Sequence, residues 1–262
     1  MESSQRSELE VKVAVVTGGS AGIGQAAAIE IAKLGIGVVL TYRTHEAEAK
    51  ETVVAIEEAG GAAVAVPLDT GDISTFDAFI TDLAGIIAGK WGTSKIDFLV
   101  NNAGIGGGAP FGEVTEEMFD QFHRVLFKGP FFLTQSLLAL MNDGGAIVNT
   151  GSNSALDTGT ASGYSSYASQ KGAVHVLTRC WAKELAPRRI RVNAVAPGST
   201  RTRIVDDIFT RMPEVIPPVV ETIPLGRIGE PEDIGRVIAF LVSEAGGWIT
   251  GQVIEASGGQ GL

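Results

Sequence analysis

The sequence predicts an α/β fold in which about seven parallel strands form one doubly wound sheet with helices on both faces. Short apolar, β-branched runs alternate along the chain with helical patterns of 10 to 25 residues, which is the order of repeated strand–helix–strand units. The runs are apolar almost throughout, as expected of strands that helices cover on both faces. The 262 residues contain no linker and no internal repeat, so we expect a single domain, 1–262.

Seven strands and six helices follow from this pattern. The strands are expected at 11–17, 36–42, 62–68, 95–101, 145–150, 190–196 and 251–256. The helices are expected at about 22–34, 45–59, 74–89, 115–141, 164–186 and 231–243. Right-handed crossovers between successive parallel strands then place helices on both faces of the sheet.

The segment 199–224 departs from the alternation. It contains four prolines, shows no clear period and directly follows the sixth predicted strand. Ligands bind at the carboxyl ends of the strands in an open α/β sheet, and a loop at this position overhangs them. We therefore expect 199–224 to be a substrate-binding loop. Its apolar and arginine side chains are also explained as loop packing and surface charge, so they do not identify the substrate.

The composition excludes several classes of protein. Thirty acidic against twenty basic residues give a net charge of −10 without any cluster of Lys and Arg, so we expect no nucleic-acid partner. No apolar run approaches the ~18 residues of a membrane-spanning helix, so we expect no membrane partner. Cys180 has no second thiol for a disulfide or a metal site; we expect it to be buried and predict no metal site. Residues 1–10 lack the apolar core of a signal peptide, which favours a cytoplasmic location.

A glycine-rich stretch follows the first predicted strand. The residues TGGSAGIG, at 17–24, stand between that strand and the first helix. Gly18 permits a tight turn, and Gly22 and Gly24 remove the Cβ atoms that would keep the backbone away from a pyrophosphate. The N-terminus of the helix adds N–H groups and a positive dipole. The stretch therefore predicts the phosphate-binding loop of a Rossmann-type fold, with an ordinary glycine-rich turn as the alternative.

The end of the second strand bears on which dinucleotide binds. Arg43 stands where NAD-binding folds usually carry an acidic residue for the ribose 2′-hydroxyl. A guanidinium suits a 2′-phosphate, with which it forms charge-assisted hydrogen bonds. We therefore expect NADP(H) to be preferred over NAD(H). Ala21, where a second basic residue would help, and the nearby Glu46 and Glu48 argue against this preference.

Polar residues also follow the third and fourth predicted strands. Asp69 follows the third strand, where a carboxylate can accept from an adenine amino group or can cap a turn, and position alone leaves both roles open. The residues NNAG, at 101–104, end the fourth strand and join hydrogen-bonding side chains to Gly104, which lets the backbone come close to a ligand. A plain asparagine-rich turn is the alternative for this motif.

Candidate catalytic residues lie after the fifth strand and in the helix that follows. Tyr167 and Lys171 are four residues apart, hence one turn apart on the same helix face. The ammonium would lower the pKa of the phenol, which is otherwise too high for acid–base work at neutral pH. Ser152 follows the fifth strand, where its hydroxyl would polarise a carbonyl. Taken singly, each of the three is more often a surface or turn residue.

Taken together, these motifs resemble the short-chain dehydrogenase/reductase family over about Val11 to Leu262. The sequence has, in the family's order, TGGSAGIG, an Asp after the third strand, NNAG, a Ser after the fifth, YASQK, and PGSTRT at 197–202. The resemblance implies NAD(P)-dependent interconversion of alcohols and carbonyls, with Tyr167 as acid–base, Ser152 binding the substrate oxygen and Lys171 binding the nicotinamide ribose and tuning Tyr167. The residues expected to line the cofactor are Gly18, Ser20, Gly22, Ile23, Arg43, Asp69, Asn101, Gly104, Tyr167, Lys171, Gly198 and Thr202.

Two departures from the family pattern concern the catalytic residues. The family mostly carries a further catalytic asparagine three positions before a glycine in the long helix ahead of the fifth strand, and this chain has Leu126 there. A backbone carbonyl at that position can still hold a water for the proton relay; reduced activity or a differently shaped pocket are the alternatives. Ser152 precedes Tyr167 by fifteen residues where thirteen is common, so counting selects Ser154. We favour Ser152, which keeps the strand register, with two residues inserted in the loop.

The sequence therefore predicts an NADP(H)-dependent oxidoreductase that interconverts a carbonyl and a secondary alcohol. The rival from another class is a catalytically weak nucleotide-binding regulator of the same fold, which only Leu126 favours. An epimerase or dehydratase of related fold is less favoured, because such relatives tend to carry a separate substrate domain. The small-molecule substrate stays open between 3-oxoacyl thioesters and sugar or steroid alcohols, and so does the direction. From the resemblance we expect a homotetramer or homodimer.

Overall fold

One parallel sheet runs through residues 11–262, the part of the chain that the computed structural model describes. Its strands are β1 (Val13–Val16), β2 (Gly37–Tyr42), β3 (Ala63–Pro67), β4 (Ile96–Asn101), β5 (Met141–Thr150), β6 (Arg191–Pro197) and β7 (Val253–Ala256). They lie in the order β3-β2-β1-β4-β5-β6-β7, and every neighbouring pair is parallel. The order reverses between β1 and β4, where open sheets of this kind form a binding crevice.

Helices cover both faces of the sheet. The helices are α1 (Gly22–Ala32), α2 (Glu46–Glu58), α3 (Phe76–Trp91), α4 (Glu116–His123), α5 (Gly129–Leu137), α6 (Ser165–Glu184), α7 (Ile208–Arg211), α8 (Ile216–Val220) and α9 (Pro231–Val242). Apolar residues of α1, α2 and α9 pack on one face. Those of α3, α5 and α6 pack on the other face, so two large apolar cores lie on opposite sides of the sheet.

The central strand β1 shows why the strands are apolar throughout. Val13 and Val15 belong to one core, Ala14 and Val16 belong to the other, and all four are fully buried. Successive side chains of a strand point to opposite faces, so a strand covered on both sides needs an unbroken apolar run. The predicted fold class, with seven parallel strands and helices on both faces, is therefore confirmed.

The boundaries differ from the prediction mainly between α4 and β5. The predicted helix 115–141 is two α-helices joined by a π-helical turn, Arg124–Lys128. The strand expected from 145 begins at Met141, because a register shift lets β5 pair with β4 over a longer stretch. Hydrophobic periodicity does not report a π turn, which adds a residue to one turn of helix and is frequent at functional sites.

Expectations drawn from composition have different outcomes. The expectation that Cys180 is buried is wrong: the thiol is exposed, because the buried stripe of α6 runs through Val174, Thr178 and Trp181 and leaves Cys180 outside it. No helix within 11–262 is long and apolar enough to cross a membrane. Residues 1–10, in which we expect no signal peptide, lie outside the described residues.

The segment 199–224 crosses the carboxyl edge of the sheet. It contains the short helices α7 and α8 and begins directly after β6. Near its start, the methyl group of Thr202 packs against Gly22, where a Cβ would lie 3.3 Å from Cγ2 of Thr202. Ile204 and Val205 pack in the same way against Gly106, in the loop after β4. The segment 199–224 therefore contacts both the start of α1 and the loop that follows β4.

Candidate active site

The loop between β1 and α1 has a backbone conformation that glycine adopts easily. Gly18 and Gly22 have φ angles of 68° and 57°, in the left-handed region. A Cβ on Gly18 would also lie 2.9 Å from Cα of Ala103, so this residue lets the loop approach the end of β4. Helix α1 begins at Gly22, and its unpaired N–H groups and positive dipole therefore lie at the loop.

Gly24 serves the packing of the loop itself. A Cβ there would collide with the carbonyl oxygen of Gly18 and with Nδ2 of Asn102. We expected Gly24 to clear space for a pyrophosphate. In the structure, the atoms that need this space belong to the protein.

Thr17 and Asn102 hold the glycine-rich loop against the end of β4, and the sequence analysis missed both. The hydroxyl oxygen of Thr17 accepts from the N–H groups of Asn102 at 2.9 Å and Ala103 at 3.0 Å. The Asn102 amide donates to the carbonyl of Thr17 at 3.0 Å. A signal was present, since the two residues belong to the two motifs TGGSAGIG and NNAG.

Asn101 is buried, and its side chain belongs to the core beneath the site. Its Nδ2 donates to Oγ1 of Thr134 and to Oδ1 of Asn149, both at 2.9 Å. Asn149 in turn donates to Oγ1 of Thr178 at 2.9 Å. These hydrogen bonds join β4 and β5 to the helices α5 and α6. The side chain that we expected to line the cofactor therefore has two protein partners, Thr134 and Asn149.

Arg43 and Asp69 line one open cleft beside β3. The cleft has a volume of about 780 Å³, and its walls come from the end of β2, from β3 and from α3. One carboxylate oxygen of Asp69 accepts the N–H of Gly71 at 2.8 Å, so this residue caps a turn and lines the cleft as well. From this position Asp69 can both cap the turn and accept a hydrogen bond from an adenine amino group, the two roles that the sequence leaves open.

The two acidic residues that follow Arg43 are each paired with a cation. Glu46 lies 2.7 Å from Nζ of Lys50, one turn further along α2. Glu48 lies 3.5 Å from Nη1 of Arg203, which belongs to the segment 199–224. These pairs partly neutralise the negative charge near Arg43 and bring a second guanidinium to the start of α2.

The carboxyl end of β5 brings Ser152, Tyr167 and Lys171 together. Lys171 is buried, and its Nζ donates to the carbonyl of Thr150, the last residue of β5, at 2.7 Å. The same Nζ lies 5.8 Å from the ring centroid of Tyr167. The side chain of Ser152 is close enough to Tyr167 to lower the pKa of its phenol. The three residues named from motif spacing are therefore neighbours in space.

Burial sets the protonation states of Tyr167 and Lys171. It raises the pKa of Tyr167 to about 12, and the nearby hydroxyl of Ser152 offsets part of this rise. It also lowers the pKa of Lys171 to about 8. At neutral pH the phenol therefore keeps its proton and the ammonium keeps its charge. In the free protein, burial therefore raises the pKa of the phenol, which we expected Lys171 to lower.

Ser154 lies beside Ser152. The hydroxyl of Ser154 donates to Oγ of Ser152 at 2.8 Å, and the Ser154 N–H donates to the same oxygen at 3.1 Å. Because Oγ of Ser152 accepts both bonds, its own proton is left for a third oxygen, that of Tyr167 or that of a bound substrate. This proton and the position beside Tyr167 favour Ser152 over Ser154 as the residue that binds a substrate oxygen.

Leu126 adds apolar surface beside Tyr167. It lies in the π-helical turn, is buried, and forms an apolar cluster with Phe122 and Val125 against which Tyr167 packs. Its side chain also limits the space over Gly104, where a Cβ would lie 3.2 Å from Cδ2 of Leu126. The residue at the position of the family's asparagine thus contributes to the burial that raises the pKa of the phenol.

His175 lies behind Ser152, and the sequence analysis missed it. Its Nε2 accepts the N–H of Ser152 at 3.5 Å, and its ring would collide with a Cβ on Gly151. Burial, followed by the charges of Lys171 and Arg179, lowers the pKa of His175 to about 4, so the ring is neutral and its Nε2 can accept. The signal was its position one turn after Lys171 on α6.

The residues around the crevice fit a nicotinamide dinucleotide. The glycine-rich loop lacks Cβ atoms at Gly18 and Gly22 and leads into a helix N-terminus, which suits a pyrophosphate. Ser20 lies in this loop, and Ile23 packs from the first turn of α1 onto the core. Gly198 directly follows β6. The fold and these groups define a nucleotide-dependent oxidoreductase of Rossmann type.

Comparisons with known proteins agree with this class. A family model described as enoyl-(acyl carrier protein) reductase matches residues 18–260. The chain is 40% identical over 257 residues to an uncharacterized oxidoreductase of Methylorubrum extorquens, covering 97% of this chain and 99% of the relative. It is 34% identical over 272 residues to a versicolorin reductase of Emericella nidulans, covering 99% of both. The solved structure of the angucycline C-6 ketoreductase LanV with bound NADP superposes with a TM-score of 0.89, at 38% identity and 95% coverage of both chains.

The chain belongs to the short-chain dehydrogenase/reductase family. The family match and the named reductases among its relatives make it an enzyme that acts on carbonyl or CH–OH groups. A nicotinamide dinucleotide is the cofactor class, since solved relatives hold NADP.

The collision at Gly24 generates a testable prediction. We expect Gly24→Ala to lower the free energy of unfolding by ~1–3 kcal/mol, because the glycine-rich loop has to move away from the end of β4. Binding of NADPH, measured by nucleotide fluorescence, should weaken by more than about tenfold. The control is Gly89→Ala in α3, where a Cβ meets nothing within 4 Å. That change should raise stability by up to ~1 kcal/mol, and a Gly24→Ala protein that behaves like it would contradict the account.

Proposed function

We propose that the protein is an NADP(H)-dependent reductase that converts a carbonyl of a small-molecule substrate to a secondary alcohol, with Tyr167 as the acid–base residue. The observation that carries the proposal is the buried group of Ser152, Tyr167 and Lys171 at the end of β5. A protonated phenol, a serine hydroxyl that can donate and a charged ammonium together suit an oxygen on which negative charge develops.

In the proposed mechanism, Ser152 donates a hydrogen bond to the carbonyl oxygen and Tyr167 transfers its proton to that oxygen. The charge of Lys171 stabilises the phenolate that remains, and a water on the backbone carbonyl of Leu126 returns a proton through Lys171. When bound, the reduced nicotinamide supplies the hydride that the carbonyl carbon receives. Alcohol oxidation uses the same groups in reverse.

The preference for NADP(H) over NAD(H) rests on Arg43. This guanidinium lines the cleft with Asp69, and the neighbouring Glu46 and Glu48 are engaged by Lys50 and Arg203. The remaining cofactor ligands of the proposal are Gly18, Ser20, Gly22, Ile23, Asn101, Gly104, Tyr167, Lys171, Gly198 and Thr202.

The proposal treats 1–262 as one NAD(P)-binding domain with 199–224 as its substrate-binding loop. The contacts of Thr202 with Gly22 and of Ile204 with Gly106 support the role of this loop, because they span the crevice. The net charge of −10 supports the absence of a nucleic-acid partner, and the single cysteine agrees with a cytoplasmic location.

An aromatic ketone is the substrate class we favour. The rings of Phe122 and Tyr164 pack edge-on around Tyr167, with centroids 6.1 Å and 6.3 Å from its ring. The names of two relatives support this class: a probable tetrahydroxynaphthalene reductase is named for an aromatic ring, and an angucycline C-6 ketoreductase is named for a ketone. The 3-oxoacyl thioesters remain the alternative, which the family model's description favours.

The test of the proposal is the initial rate of NADPH oxidation, and separately of NADH oxidation, with aromatic ketones, aldehydes, keto esters and 3-oxoacyl thioesters. We expect turnover with NADPH that the Tyr167→Phe variant loses. The second candidate function, a weakly active nucleotide-binding regulator, rests on Leu126. It predicts nucleotide binding without turnover across the panel, and a gain of turnover in Leu126→Asn.

The two serines have separable expected effects. Ser152→Ala should lower kcat for reduction by ~10²–10³, as for other donors to a developing oxyanion. Ser154→Ala removes only a neutral hydrogen bond to Ser152, worth about 1 kcal/mol, and should lower kcat about fivefold. Turnover that survives Ser152→Ala and is abolished by Ser154→Ala would reverse the assignment.

The pH profile should report the state of Tyr167. Its pKa, raised by burial to about 12, keeps the phenol protonated in the free protein, as reduction requires. We expect kcat/KM for reduction to stay level from about pH 6 to 8 and to fall above about 8, where Lys171 loses its charge. The same quantity for alcohol oxidation should rise with pH. A reduction rate that rises between about pH 6 and 8 would count against Tyr167 as the proton donor.

Arg43 should decide between the two cofactors. We expect Arg43→Ala to raise KM for NADPH by ~10–100-fold and to leave KM for NADH within ~2-fold, because charge-assisted hydrogen bonds contribute ~1.5–3 kcal/mol. Arg236→Ala, on α9, is the matched control. Equal effects of Arg43→Ala on both cofactors would remove the basis of the proposed preference.

We propose a homotetramer, with a homodimer as the smaller alternative. Two separate groups of exposed apolar side chains support it: one on α4, α5 and α6, and one at and beyond the end of α9. They are Phe119, Phe132 and Val176, and Phe240 and Trp248. Sedimentation at micromolar concentration should give four times the 27.2 kDa chain mass. A single species of chain mass would overturn the proposal.

A further inference from the structure

We propose that Gln260 is a positioning residue that fixes the spacing between the Ser152 loop, 151–160, and the β6 loop, 197–202. The inference rests on the proposed function, in which the first loop holds the substrate oxygen and the second lines the cofactor. Gln260 belongs to the segment 257–262, which follows β7 and has no part in the mechanism above.

The side chain of Gln260 forms two hydrogen bonds with Ser199. Its Oε1 accepts the N–H of Ser199 at 2.8 Å, and its Nε2 donates to the Ser199 hydroxyl at 3.0 Å. A Cβ on Gly198 would lie 2.8 Å from Oε1, so the amide is packed tightly against the start of the β6 loop. The position of Ser199 is therefore fixed at both its backbone and its side chain.

The same amide oxygen contacts the Ser152 loop. Nδ2 of Asn153 donates to Oε1 of Gln260 at 3.4 Å, and Asn153 is buried. Asn153 directly follows Ser152, and Ser199 directly follows Gly198. One side chain thus joins the neighbour of the proposed substrate ligand to the neighbour of a proposed cofactor ligand.

Backbone contacts hold the segment 257–262 in place. Gly261 donates its N–H to the carbonyl of Thr222 at 3.0 Å, and Leu225 donates to the carbonyl of Gly258 at 3.2 Å. Gly261 has a φ of 82°, and a Cβ there would collide with the carbonyl oxygen of Thr158. The segment is therefore packed between the end of 199–224 and the Ser152 loop. These contacts fix the backbone of Gln260. Its side chain can therefore set the distance between the two loops.

Spacing matters here because hydride transfer needs the reacting atoms ~3–3.5 Å apart and aligned, and a misplacement of ~1 Å can cost on the order of 10²-fold in rate. Loss of the Gln260 amide would free the two loops to separate. The binding of each ligand alone would change little, because neither loop loses a ligand group. The effect should therefore fall on the chemical step.

Two variants at this position and one control test the proposal. Gln260→Glu keeps all three contacts, since the Ser199 N–H, the Ser199 hydroxyl and the Asn153 amide can each donate to a carboxylate. Gln260→Met keeps the approximate length and loses every hydrogen bond. The control is Gln252→Met, which removes the amide of an exposed glutamine whose Nε2 donates to the carbonyl of Thr250.

The readouts are kcat, the Kd for NADPH, the isotope effect with 4-deuterated NADPH, and hydrogen exchange at the Ser199 amide. For Gln260→Met we expect kcat to fall ~10–100-fold with Kd within ~3-fold, a larger isotope effect and faster exchange at Ser199. Gln260→Glu and Gln252→Met should stay within ~3-fold of the unmodified protein in kcat.

Distinct results would overturn this inference and the proposed function. Gln260→Met with unchanged kcat and isotope effect, or unchanged exchange at Ser199, would overturn the role of Gln260. A fall in kcat matched by an equal fall in the folded fraction would overturn it as well. An unmodified protein that turns over no substrate would overturn the proposed function and, with it, the catalytic role of this residue.

Discussion

Burial of the Lys171 ammonium at the carboxyl end of β5 is the constraint on which the site depends. A buried charge is costly unless it has a partner, and Nζ donates to the carbonyl of Thr150 at 2.7 Å. This bond requires α6 to stay packed against β5. The packing in turn brings Tyr167, one turn earlier on α6, to Ser152, two residues beyond Thr150. Burial then keeps the phenol protonated and lowers the pKa of Lys171 to about 8, so that the ammonium is still charged at neutral pH.

The rest of the site is assembled by side chains that bond to the backbone of a neighbouring strand end. Thr17 and Asn102 join the loop after β1 to the end of β4. His175 accepts the N–H of Ser152 from behind, and Gln260 links the loops after β5 and β6. Parallel strands bring these loops to one edge of the sheet but do not fix their separation. The bridging side chains supply the alignment that the chemistry needs.

The sequence predicted the features that depend on local pattern. Unbroken apolar runs predicted the seven strands, and spacing along a helix brought Tyr167 and Lys171 to one face. Features that depend on distant contacts escaped it: Asn153 and Gln260 are 107 residues apart. The exposure of Cys180 depends on which stripe of α6 packs against the sheet. The role of Gly24 depends on the positions of Gly18 and Asn102, which the pattern of glycines does not report. The π-helical turn that contains Leu126 cannot be recognised from the spacing of apolar residues along the sequence.

The most direct test of this account is an NMR titration of the protein with ¹⁵Nζ-labelled lysine, assigned with a Lys171→Met variant. The chain has eight lysines. The account predicts that one resonance, absent from the variant, titrates at about 8. If the resonance of Lys171 titrates instead near the ordinary lysine value of ~10.4, the ammonium is not buried as described. The basis for the protonation states of Tyr167 and Lys171 would then be wrong.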